Sequence, residues 1–270
     1  MMRRLVLTGG GILIALGVVG VLDALGLIHV SICGLLWAFL IIAAGVWIIW
    51  GAYTKVPSAE TQDVTIPLEG ATRARIRVLH GAGRLRVKGG AGPGEAARGS
   101  FAGGLEYSAN KEGDTLRVEM RVAGQGLAAG LLPWRWPKTR GAEWNLELNE
   151  EIPLTLEFEG GASENLLNLT DLNVQELHVE TGASSTKLSL PAGAGHTKAH
   201  VAYAAGAAEI RVPSDVAARI EVSSALAEAK IDRVRFPRVD RRLYESPDYE
   251  TAINRVDLEI DANLGSLDVR

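Results

Sequence analysis

Two kinds of hydrophobic pattern divide the chain. Up to Tyr53 the apolar positions run almost without interruption, and beyond about Asp63 they alternate with polar ones. Leu5–Ile28 carries a single charge, Asp23, close to its far end, and Gly34–Tyr53 carries none. Each stretch is about 20 residues or longer, enough at ~1.5 Å per residue to cross a hydrocarbon core of roughly 30 Å. The short uncharged link His29–Cys33 leaves room only for a tight turn, so both helix ends should emerge on one side. Residues 1–55 are therefore predicted to form a two-helix transmembrane hairpin, with helices near 5–28 and 34–53. A linker, 56–62, and one large domain, 63–270, follow.

That domain is predicted to be all β. Leu116, Val118, Met120 and Val122 alternate with Arg117, Glu119 and Arg121, and Val256, Leu258 and Ile260 alternate with Asp257 and Glu259. The middle of the domain also repeats. Phe158, Val179, Val201 and Val222 each end an alternating run, at intervals of 21, 22 and 21 residues. Leu169, Leu190, Val212 and Ile231 keep step with them. Small residues follow each run: Gly160-Gly161-Ala162, Thr181-Gly182-Ala183, Ala204-Ala205-Gly206 and Ser223-Ser224-Ala225. A unit of about 21 residues with two short strands cannot bury its apolar face alone, whereas a stack of such units forms a continuous core. The preferred architecture is thus a β-helix-like solenoid of stacked short strands, with a β-sandwich as the alternative. Gly89–Gly104 and Gly124–Trp144 break the alternation and are predicted to be loops.

Charge then fixes an expected orientation. Arg3 and Arg4 precede the first helix, Lys55 follows the second, and the turn between them has no lysine or arginine. By the positive-inside rule both termini and the β domain face the cytoplasm, in a plasma-membrane protein. Trp47, Trp50 and Tyr53 fit an interfacial aromatic belt at the end of helix 2. A cleaved secretory signal, which would put the domain outside, is disfavoured by the long apolar core and the second span behind it. The six glycines of helix 1 suit close packing against helix 2.

The chemistry-bearing residues point away from catalysis. Val56–Arg270 holds 25 basic and 31 acidic residues, a net charge of about −6 that disfavours nucleic-acid binding. The single cysteine, Cys33, excludes an intramolecular disulfide and a cysteine-based zinc site. No phosphate-binding loop, nucleophile elbow, H-E-x-x-H or EF-hand sequence is present. His196 and His200 have the spacing of a helical metal pair, but on a strand they stand about 13 Å apart. No cofactor or metal is expected, and no enzymatic activity. The loop around Trp134, Arg135, Trp136 and Lys138 joins aromatic and basic groups, and is the candidate contact for membrane lipid or a protein partner.

Three features together resemble the bacterial LiaF-like cell-envelope stress-response proteins and the related toast-rack domains. They are the glycine-punctuated hairpin (Gly9–Gly17, then Leu35-Leu36-Trp37 and Gly45-Val46), the run Gly206–Val216, and the C-terminal segments Tyr244–Tyr249, Val256–Ile260 and Leu264–Val269. The resemblance implies a membrane-anchored, non-enzymatic regulator or scaffold that restrains a membrane sensor kinase through contacts of its β domain. A surface-displayed structural or adhesin-like solenoid is the alternative.

Overall fold

A computed structural model of the chain describes residues 61–123 and 142–270. The expected hairpin, its topology determinants Arg3, Arg4 and Lys55, and the Trp134, Arg135, Trp136 and Lys138 loop lie outside the described residues. Among the described residues no helix is long and apolar enough to cross a membrane.

The described residues form twelve strands: β1 (Thr61–Pro67), β2 (Arg73–Gly89), β3 (Glu95–Ala102), β4 (Leu105–Glu112), β5 (Thr115–Val122), β6 (Ala142–Leu148), β7 (Leu154–Asn168), β8 (Val174–Ser189), β9 (His196–Arg211), β10 (Ala217–Ile231), β11 (Leu243–Glu245) and β12 (Arg255–Val269). β1 begins inside the stretch read from sequence as linker. All twelve join one sheet, whose central order is β2-β7-β8-β9-β12-β10 with every neighbour parallel.

Chain length explains the shape of each rung. β7 has 15 residues, about 50 Å if straight, yet the next parallel strand starts after a five-residue connection spanning about 20 Å at most. The strand must therefore fold back on itself, and the burial pattern marks where. Along β7 the buried positions are even-numbered up to Phe158 and odd-numbered from Ser163 onward. Along β8, past an irregularity at Val174, they are odd from Leu177 to Thr181 and even from Ser184. Each phase break places two or more consecutive residues outward at a corner, so both arms turn their apolar faces to one shared core. The two short strands per repeat expected from sequence are thus two arms of one bent strand. Pro153, Pro191 and Pro213 lie just outside the strands, where a missing N–H breaks no ladder.

The register confirms the repeat and corrects its order. Phe158 pairs with Val179 and Val179 with Val201, but Val201 then pairs with Ile260, and only Ile260 with Val222. The C-terminal β12 fills a slot between β9 and β10. Ile231 is also displaced from its expected row: it aligns with Val269, Ile210, Leu188 and Leu167, two residues before the Leu190 and Val212 positions.

Corners need small residues because the backbones of successive rungs nearly touch there. A Cβ on Gly182 would lie 2.9 Å from the Gly161 carbonyl oxygen. The expected loop at Gly89–Gly104 is a correction: it contains β3, which pairs antiparallel with β1 and β6. Ala97 and Phe101 face inward, Ala96 is buried at a bulge opposite Ile66 and Pro67, and Gly99 is required because a side chain would run into the Asn145 carbonyl. Small residues hid the alternation. Trp144, at the end of the other expected loop, belongs to β6 and is fully buried, edge-on to Phe101 at 5.1 Å between ring centroids.

Candidate functional site

Because the stack is parallel and in register, outward residues of the first arms line up in rows that cross the rungs. One row reads Arg77, Glu157, His178, His200, Glu259, Glu221 and Leu243 along β2, β7, β8, β9, β12, β10 and β11. The row beside it reads Arg75, Thr155, Glu176, Lys198, Asp257, Arg219 and Glu245. Like charges held at strand spacing repel unless a neighbouring row answers them. At the β2 end they are answered: Arg75 and Arg77 reach Glu157 at 3.9 and 3.8 Å, and Arg77 reaches Glu159 at 2.5 Å.

Between the ends the rows border an open groove of about 590 Å³, which includes His178, His200, Asp257, Glu259 and Arg219. The His178 and His200 rings stack at 4.8 Å with an interplanar angle of 15°, and their Nδ1 atoms are 3.1 Å apart. His200 Nε2 lies 3.1 Å from Asp261 Oδ2. At the other side Asp257 holds a second network. His196 Nε2 is 2.8 Å from its Oδ2, and the Tyr249 hydroxyl donates to its Oδ1. Arg219 donates to Glu245 and Glu250 and stacks 4.2 Å over the Tyr249 ring.

These contacts set the protonation states. Burial alone would raise the Asp257 carboxyl, but the hydrogen bonds from Tyr249 and His196 outweigh it and hold the group below the usual carboxylate range. Burial, then the bond to Asp257, pushes the Tyr249 phenol up to about 12. The sign of the stability effect follows. A carboxylate with a depressed folded pKa stabilises the fold above its unfolded value of about 3.9, and that contribution is lost as pH falls through the folded value. Asp257→Asn should cost about 1 kcal/mol at pH 7, discounted for partial exposure. The gap to the parent should close in acid, and the tyrosine titrating near 12 should move toward 10. Urea unfolding across pH and absorbance titration of the phenols check this; a gap that is constant with pH would contradict it.

His196 and His200 do not converge: each engages a different carboxylate of β12. What spacing within one strand could not reveal is His178 beside His200, 22 residues apart and therefore one repeat apart. The carboxylates of Asp257, Glu259 and Asp261 arrive only because β12 enters the stack out of order.

Known proteins agree with this architecture. Residues 55–213, more than half of the chain, match the family model described as the N-terminal domain of toast_rack, DUF2154. No curated protein matches the chain. The crystal structure of a candidate cell adhesion protein from Clostridium sporogenes superposes with a TM-score of 0.70 at 19% identity, covering 78% of this chain and 98% of that one. At that identity the likeness is one of fold. With the family match it accounts for the bent parallel rungs, and the chain belongs to the toast-rack family.

Proposed function

We propose that this chain is a non-enzymatic, membrane-anchored scaffold or regulator whose β domain binds a protein partner, in the setting of cell-envelope stress signalling. The observation that supports it best is the ordered outer face of the first arms. Charges from six parallel rungs stand there in fixed rows beside an open groove, which suits recognition of a complementary protein surface. The apolar segments 5–28 and 34–53 supply the tether, and Arg3, Arg4 and Lys55 supply the orientation that puts the rows in the cytoplasm. A membrane sensor kinase is the partner this reading favours, with the Trp134, Arg135, Trp136 and Lys138 segment contacting lipid or that partner.

A second reading has one specific support, the fold shared with the candidate cell adhesion protein. It places the domain outside the cell as a structural or adhesin-like solenoid. Two C-terminal reporters, one active only in the cytoplasm and one only outside, separate the readings. The cytoplasmic reporter should be active and the outside one silent; the reverse result would sink the regulator reading. Co-purification with a membrane sensor kinase, weakened by charge reversal at Arg75 and Arg77, then tests the partner.

A further inference from the structure

We propose that His178 and His200, together with Glu259, bind one divalent transition-metal ion of the zinc class on the outer face of the rungs. The two imidazoles come from neighbouring rungs at the same register and face each other through Nδ1 at 3.1 Å. Two nitrogens bound to one ion at ~2.0–2.1 Å, with tetrahedral or right-angle geometry, lie about 2.9–3.4 Å apart. The existing separation fits a shared ion with little rearrangement.

The second nitrogens support the same assignment. His200 Nε2 faces the Asp261 carboxylate at 3.1 Å, and His178 Nε2 faces Glu180 at 3.7 Å. The Asp261 carboxylate, accepting the His200 Nε2 proton, leaves that ring's lone pair on Nδ1, the arrangement that metal-binding histidines use to fix tautomer and ring orientation, while Glu180 is an electrostatic neighbour of His178 beyond hydrogen-bond distance. One Nδ1 donates to the other across this gap, and a bound cation would take the place of that proton.

Glu259 follows His200 in the same row, and His200, Glu259 and Asp261 each offer a ligand atom within 4.8 Å of the others, so a rotation of the Glu259 side chain toward the two Nδ1 atoms would supply the third ligand. Glu157, on the far side of His178, is already engaged by Arg75 and Arg77. Two imidazoles and a carboxylate favour zinc, copper or nickel over magnesium or calcium, and water would complete the coordination. The side chains of His178 and His200 are 42% and 30% exposed, which leaves an entry path. The ion would brace β8, β9 and β12 together at the slot where the C-terminal strand enters the stack.

The test uses the full chain in detergent, purified without a histidine tag and stripped with chelator, titrated with zinc chloride by calorimetry. One ion should bind per chain. His178→Gln, His200→Gln and Asp261→Asn should each weaken binding by about tenfold or more, while His196→Gln should leave it unchanged. Absence of saturable binding, or binding indifferent to both His178→Gln and His200→Gln, would overturn the assignment. Should a variant lose its β-sheet circular dichroism, copper-loaded parent protein decides the matter. Its electron paramagnetic resonance should show coupling to two imidazole nitrogens, and coupling to one or none would overturn the proposal.

Discussion

Replacing Gly206 with alanine is expected to destabilise the β domain by about 3 kcal/mol or more. Two causes act together. Gly206 has φ +132°, a region that side chains strongly disfavour, so strain arises whatever the space. Its Cβ would also lie 2.9 Å from the Ser184 carbonyl carbon and closer still to the oxygen, with the next rung unable to retreat without breaking its ladder. Gly265, one rung further at φ +125°, stands in the same relation to the Gly206 carbonyl. Gly265→Ala should therefore behave alike, and the double variant should depart from additivity because the two sites share a backbone contact. Gly193→Ala is the control: nothing lies within 4 Å of its added carbon, and the change should stay within about 0.5 kcal/mol. Urea unfolding of the full chain followed by circular dichroism measures all four. Equal midpoints for Gly206→Ala and Gly193→Ala would refute the corner geometry.

How far such features could be read from sequence depends on which interaction sets them. The 21- and 22-residue intervals from Phe158 to Val179 to Val201 were visible because each rung uses nearly the same number of residues, and the parallel ladder converts equal spacing into contact. The corners were visible because close backbone approach selects Gly and Ala wherever it occurs. β3 was not visible, since the same small residues that let it pack against β6 erase the contrast between its two faces. The place of β12 was hidden for another reason. Its alternation identifies a strand, but which neighbours a strand takes is decided by free edges in three dimensions. The same division runs through the candidate site. The His178–His200 pair was implicit in the repeat, one unit apart. Asp261 meets His200 across 61 residues of chain, and nothing local announces it.

Removing Arg255–Arg270 is expected to unravel the β9–β10 end of the stack rather than trim it. β12 pairs along its length with both β9 and β10, whereas β10 otherwise has only the three-residue β11 beside its first arm. Val256, Leu258, Ile260, Leu267 and Val269 are each no more than 2% exposed, and at ~2 kcal/mol apiece their burial amounts to about 10 kcal/mol. That is comparable with the whole stability of a typical domain, so closure of the gap by β10 alone is not expected to compensate. Closure would also bring the Arg219 row beside Lys198 and remove the acidic residue that now separates the two cations, Asp257. Hydrogen exchange followed by mass spectrometry reads the outcome. Amides of β9 and β10 should lose protection in the truncated chain, while β2, β7 and β8 keep theirs, because in a stacked array stability passes mainly between nearest neighbours. A synthetic peptide of residues 255–270 should restore protection in trans by occupying the vacated slot. Full protection of β10 without the peptide would mean that β9 and β10 pair directly, and that the out-of-order insertion of β12 is dispensable to the fold.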